Sequence, residues 1–331
     1  MSVSKKRAKK RSILTEVYCN QTRSIPFVTA DGVEFHIMDA FICPLCMNII
    51  NVEDEDKITL EDVPPESVGG EPLLITCQTC NNTLGNTESH LHNVLQVFYL
   101  LRHPDDHRYK SEFILNGVKI KGYINTDLIG EKPYIHCTID ANDVRNYPLF
   151  NSELDNNWDG GQLEIKSNLT SVKRNDKYTN IAILKSAYLM AFSKLGYMYI
   201  LSNNLDSVRE QIQKPDADVL QNSFLIGRGL KMLPDIKDGV YYAKVDGADC
   251  VLVIISFKHN NDDEICLRAA VALPHPNDNG NSLFSYLHNA NKIKTITCLE
   301  DVTELPIRPI RVNELIKDLI IFESTQKELS P

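Results

Sequence analysis

The chain has 331 residues, 43% of them hydrophobic and 24% charged, the composition of a globular protein long enough for two or three cores. No apolar run reaches the ~18 residues a membrane span requires, and the first residues lack the apolar stretch of a secretory leader. The formal net charge of −9 counts against a protein that grips a polyanion over its whole surface. Nine cysteines, four of them in C-x-x-C pairs, fit a reducing cytosol better than a disulfide scaffold, so a cytoplasmic protein is expected.

Residues 5–11 read KKRAKKR, a run expected to be a solvated, disordered arm that supplies phosphate contacts or simply solubilises the chain. The stretch SIPFVTADGVEFHIMDAFI then alternates about Asp31-Gly32 and predicts a β-hairpin. Next comes the first C-x-x-C pair, Cys43 and Cys46, with the second, Cys77 and Cys80, after an interval of 30 residues. A C-x-x-C turn presents two thiolates to one tetrahedral ion at about 2.3 Å, and two such turns close a four-thiolate zinc site. The interval exceeds the roughly 15–20 residues of the common pattern, so the pairs must bracket a folded insert. Losing that staple is expected to unfold about residues 40–100 and spare the C-terminal region.

Within the insert, Ile58–Leu60 predicts a short strand ending at Glu61-Asp62. Pro64-Pro65 and Gly69-Gly70 mark a turn, and Pro72–Thr76 a return strand. After Gly85, the apolar residues Leu91, Val94, Leu95, Phe98 and Leu101 fall at helical spacing, with Thr87 as N-cap and His90 in the first turn.

The acidic pair followed by Val63-Pro64, the Asn81 directly after the last cysteine and the His90 nine positions on give residues 40–101 a pattern that resembles the HNH endonucleases, the zinc-knuckle branch of the ββα-metal nucleases. The resemblance implies a DNA-cleaving phosphodiester hydrolase, with defence against foreign DNA as a setting. It implies Glu61 and His90 as ligands of a catalytic Mg²⁺ or another divalent ion, Asn81 as the asparagine that braces the loop, and structural zinc on Cys43, Cys46, Cys77 and Cys80. Asp62 stands where the family has its general-base histidine. It can be a tuned base, a second metal carboxylate with base duty passed to water or to His36 or His92, or the mark of a weakened nuclease. The alternative function is a zinc-binding recognition module for nucleic acid or protein.

Further along, EFILNGVKIKGYI about Asn116-Gly117 and PYIHCTID predict a small antiparallel sheet, followed by a loop or boundary over 151–161. Lys166, Lys173, Arg174 and Lys177 make the most basic folded-looking stretch, a candidate track for a phosphate backbone. IAILKSAYLMAFSKLG predicts a helix ending at Gly196, and SVREQIQKP a second helix stopped by Pro215. Strands follow at Ser223–Gly227, Val240–Val245, CVLVIISF and ICLRAAVAL, and NELIKDLIIFE forms a last amphipathic or edge element.

The fold class expected is therefore α+β: a zinc-stapled ββα-metal module and then a mixed antiparallel-sheet and helix region. The divisions are 1–24 (basic arm and lead-in), 25–102 (zinc module), 103–160 (small β region) and 161–331 (α+β domain). Nucleic acid, DNA first, is the partner expected; no membrane is, and a second copy or a partner protein stays open.

Overall fold

The computed structural model of the chain describes residues 3–29, 31–102, 109–129, 132–140, 143, 145–157, 163–167, 175–221, 223–229, 235–260, 264–277, 282–289, 296–303 and 305–311. They divide into two units, Met1–His92 with Asn175–Pro331, and Asn93–Arg174. The divisions drawn from composition fall elsewhere, because the two ends of the sequence fold into one unit and an internal segment forms the other.

The basic arm is not a disordered tail. It is the start of helix α1 (Val3–Ser24). Arg7 and Arg11, one turn apart, reach acidic groups of the insert, and further along Tyr18 and Thr22 are buried, with the Tyr18 ring stacked on Phe192 at 5.1 Å. The expected hairpin follows as β1 (Phe27–Val28) and β2 (Glu34–Phe35), turning at Gly32 with φ +88°. Strands β3 (Ala40–Ile42) and β4 (Ile49–Asn51) pair on either side of the first C-x-x-C turn.

Strands β5 (Ile58–Val63) and β6 (Glu71–Cys77) form the insert's antiparallel hairpin, and α2 (Gln78–Arg102) begins at the residue after β6 ends. Gly70 lies where the hairpin turns back on itself, and a Cβ there would stand 1.4 Å from the Pro64 carbonyl oxygen, so only glycine fits. Two expectations change. β5 runs through the acidic pair rather than ending at it, and α2 starts well before Thr87. That residue lies inside the helix, its hydroxyl donating to the Leu84 carbonyl at 2.6 Å. Cys77 takes the capping role: its sulfur accepts the Cys80 N–H at 3.4 Å, the side-chain-to-backbone bond that serine or aspartate makes at a helix start.

The other unit contains β7 (Tyr109–Leu115), β8 (Val118–Ile129), β9 (Lys132–Ile139), α3 (Asn146–Asn157) and β10 (Leu163–Ser167), with sheet order β10-β7-β8-β9. The Asn116-Gly117 turn between β7 and β8 has both residues at positive φ, as two-residue hairpins require. Much of the loop expected over 151–161 is α3, whose Phe150 joins the core of Phe113, Leu115, Ile120 and Ile124, with Leu154 packed beside it.

The chain returns to the first unit with α4 (Asp176–Leu195), capped by the Asn175 side chain accepting from the Lys177 and Tyr178 amides and closed at Gly196. Then come α5 (Tyr197–Ile200), α6 (Asp206–Gln213), β11 (Leu225–Gly229), β12 (Gly239–Val245), β13 (Ala248–Lys258), β14 (Ile265–Pro274), α7 (Ser282–Asn289), β15 (Ile296–Asp301) and β16 (Ile310–Arg311). Five of the strands make an antiparallel sheet in the order β11-β14-β13-β12-β15, and β16 pairs in parallel with β1. Helix α4 is buried on nearly every side rather than on one stripe, because it packs on β12–β14 and also against the β5–β6 hairpin. The class is α+β with antiparallel sheets, as expected. The segment NELIKDLIIFE, residues 313–323, lies outside the described residues.

Candidate functional site

The four cysteines come together. Their sulfurs all lie within 4.8 Å of one another, and Cys46 and Cys77 are 3.7 Å apart. Four bonds of about 2.3 Å to a central ion imply tetrahedron edges of about 3.8 Å, so the donor set fits a four-thiolate ion. Cys43, Cys77 and Cys80 are buried, and the Cys77 amide donates to the Cys43 sulfur at 3.4 Å. Burial drives the Cys43 thiol upward in pKa, while hydrogen bonds from Cys43, Cys46 and Cys80 favour the thiolate at Cys77. Among the described residues this is the only such cluster of three or more metal-ligating groups.

Beside it, a cleft of about 460 Å³ is lined by Arg7, Glu61, Asp62, Asn81, Glu88 and Asn260, among others. Neighbouring residues in a strand normally face opposite ways. Opposite Glu61 and Asp62 the pairing skips Leu73 of β6, so the bulge lies on the partner strand, and both Glu61 and Asp62 line the cleft. On α2 the cleft face follows from helical geometry. At about 100° per residue, Glu88 lies about 20° from Asn81, whereas His90 is turned about 180° from it. Asn81 and Glu88 therefore line the cleft and His90 does not.

His90 is instead buried edge-on against the Tyr178 ring at 5.1 Å, and its Nδ1 has no hydrogen-bond partner. The histidine on the cleft side of α2 is His92, about 20° from Asn81. Its Nδ1 lies 3.0 Å from the Ser67 carbonyl, and since a carbonyl only accepts, the proton sits on Nδ1. Its ring stacks on His259 at 5.7 Å. His36 belongs elsewhere, with Nδ1 bonded to the Arg23 carbonyl at 2.9 Å.

Each carboxylate of the acidic pair already has a cation. Asp62 is held in a fork by Arg7, at 2.8 Å and 3.3 Å, with Glu66 at 3.6 Å on the same guanidinium. Glu61 receives the Lys185 ammonium at 2.6 Å on Oε1 and the Thr76 hydroxyl at 3.0 Å on Oε2. The same ammonium bonds Glu88. Lys185 is 2% exposed. Desolvation works to lower its pKa, but Glu61 and Glu88 outweigh this and hold it above the ordinary lysine range. Burial raises the pKa of the Glu61 carboxyl, and Glu88 adds to the rise, because one ammonium serves two carboxylates.

The divalent ion that the resemblance assigns to Glu61 and His90 does not fit this arrangement. Both Glu61 oxygens are engaged, and His90 faces away from the cleft.

The residues of the expected basic track fall in two units. Lys166 lies on β10 in one unit, 3.4 Å from Glu164, and Lys177 on α4 in the other, donating to the Asp216 carbonyl at 2.7 Å. Lys173 and Arg174 lie outside the described residues. Lys185, Glu88 and Arg7 are the site residues that sequence reasoning missed. Glu88 was findable, since it sits seven residues after Asn81 on the same helical face. A lysine in the middle of an apolar helix was the trace of the second.

Comparison with protein-family models, with curated proteins and with solved structures finds no match for this chain. No helix among the described residues is long and apolar enough to cross a membrane.

Proposed function

We propose that this chain is a zinc-stapled endonuclease of the HNH type that hydrolyses phosphodiester bonds in DNA at the cleft of Glu61, Asp62, Asn81 and Arg7. The observation that carries this reading is the cleft itself, whose lining brings Glu61 and Asp62 together with a helix-borne asparagine and an arginine. Zinc on the four cysteines is structural, because a closed shell of thiolates keeps no open position.

Hydrolysis needs a base for the attacking water and positive charge on the phosphate at its pentacovalent stage. Arg7 is the cation that lines the cleft, and phosphate, like carboxylate, takes a guanidinium in a fork. A phosphodiester entering the cleft competes with Asp62 for Arg7. The carboxylate it releases takes the water proton as the new P–O bond forms, and the departing 3′ oxygen collects a proton from solvent. Asn81 braces the wall across which this occurs.

A second reading is favoured by one observation. Glu61 and Asp62 are both already neutralised, which suits a hairpin-helix kept for recognition of nucleic acid or protein.

Nicking of supercoiled plasmid separates the two. Wild type is compared with Asp62→Asn and Asp62→His, without added ion and with Mg²⁺, Mn²⁺ or Ni²⁺. Loss of the base is expected to slow nicking by about 10²–10⁴. Histidine, with an ordinary pKa near 6.5, is expected to keep or raise the rate at neutral pH. An inert wild type that Asp62→His switches on marks the recognition module, and Asp62→Asn nicking at the wild-type rate removes Asp62 from the mechanism.

A further inference from the structure

Lys185 is the one charged side chain buried in the middle of α4, in a helix whose buried positions are mostly isoleucine, leucine, alanine and aromatic residues. An unpaired ammonium in such a place is very costly, so its presence is explained only by what it touches. It touches two carboxylates of the cleft from behind, Glu61 at 2.6 Å and Glu88. These two side chains come from different elements, β5 and α2, and converge on a single cation. Carboxylates from a strand and a helix meeting at one point is the arrangement of a divalent-ion site in which hard oxygen donors surround the charge. Here the charge at that point is the ammonium.

We propose that Lys185 is the resident cation of this cleft, holding the position between Glu61 and Glu88 that a divalent ion would need and keeping such ions off Glu61. The proposal rests on reading the cleft as the working site of the chain. Lys185 does not line the cleft, so it is a positioning residue. It fixes Glu61 and Glu88 in the wall and leaves Arg7 as the cation facing the substrate. Arg7, in front of the carboxylates, then supplies the positive charge that metal-bound nucleases take from solution, while Lys185 behind them holds the wall.

The test uses the full zinc-loaded chain with Mn²⁺ alone as probe, read by electron paramagnetic resonance of the free aqueous ion. Wild type and Glu61→Gln are expected to bind Mn²⁺ alike, within twofold. Lys185→Ala, which leaves the two carboxylates facing each other, is expected to gain a site at least tenfold tighter, and the double variant Lys185→Ala/Glu61→Gln to lose it. Lys185→Met serves where alanine fails to fold. One stoichiometric Mn²⁺ on wild type that Glu61→Gln weakens tenfold or more overturns the proposal, and this arm needs no Lys185 variant. A folded Lys185 variant without the gain overturns it equally. Plasmid nicking on the same samples keeps the two ideas apart: a protein that never nicks defeats the nuclease reading and leaves the Mn²⁺ result to decide the role of Lys185.

Discussion

At the scale of single residues, the Glu61–Lys185–Glu88 triad ties stability to pH in a direction that can be worked out. Lys185 has its pKa raised in the folded chain above the ordinary lysine value of about 10.4. A cation whose folded pKa is raised contributes stability in full below its unfolded pKa and loses that contribution as pH rises through the folded one. The acid side behaves differently. Burial raises Glu61 in the folded state, so between its ordinary and its raised pKa protonation favours the fold, and this residue does not make the chain acid-labile. Replacing Lys185 by Met leaves the buried Glu61 facing the half-buried Glu88 without a cation, which is expected to cost about 3–5 kcal/mol at pH 7. Urea midpoints across pH should give a gap between wild type and variant that is level from pH 6 to about pH 9 and narrows above about pH 10.4. A gap under about 1 kcal/mol at neutral pH, or one that never narrows, means the ion pairs are not what holds this site.

At the scale of elements, much of the fold could be read from pattern, and the failures share a cause. The hairpin at Asp31-Gly32, the Asn116-Gly117 turn, four strands of the five-stranded sheet and the helix ending at Gly196 all carry local signals and are present, whereas β15 was not expected. The errors came where a distant partner decides the local structure. KKRAKKR looks like a free tail because its own charges repel, yet Arg7 and Arg11 find Asp62, Glu66 and Glu55 some fifty residues away. The two cysteine pairs do converge into one cluster, but reading α2 from Thr87 put His90 on the wrong turn and hence the wrong face. With the arginines turned inward, Lys5, Lys6, Lys9 and Lys10 are left exposed along α1, spread over an arc of about 140°. On the proposed nuclease reading, that ridge is the candidate surface for DNA. Each phosphate contact contributes about 0.9 to the slope of log affinity against log salt. Changing these four lysines to glutamine is expected to weaken duplex binding irrespective of sequence and to reduce the slope by about 3–4, with circular dichroism checking that the helix persists. An unchanged slope would make the ridge a solubilising surface.

At the scale of the whole molecule, the cysteine cluster is not confined to a separable module. The loop that carries Cys43 and Cys46 is bound through its backbone by side chains about 150 residues further along the sequence. Tyr188 donates to the Pro44 carbonyl at 2.7 Å, Tyr197 to that of Ile42 at 2.8 Å, and Gln213 to that of Leu45. Both tyrosines are buried, so their hydroxyls would be costly to leave unpaired. Helix α4, which carries Tyr188, also packs on the five-stranded sheet. On the proposed reading of the cluster as a zinc site, the binding energy of the metal is therefore expected to be folding energy for the unit as a whole, rather than for residues 40–100 alone. Chelating the metal, or the Cys77→Ser substitution, should deprotect the sheet together with the knuckle. In hydrogen exchange read by mass spectrometry, peptides from 248–274 should lose protection along with those from 40–92, while peptides from 109–139, in the other unit with its own core, keep theirs. Protection retained at 248–274 while 40–92 exchanges freely would mean that the cluster staples only its own hairpin and helix, and that the tyrosine bonds follow the knuckle rather than couple it to the sheet.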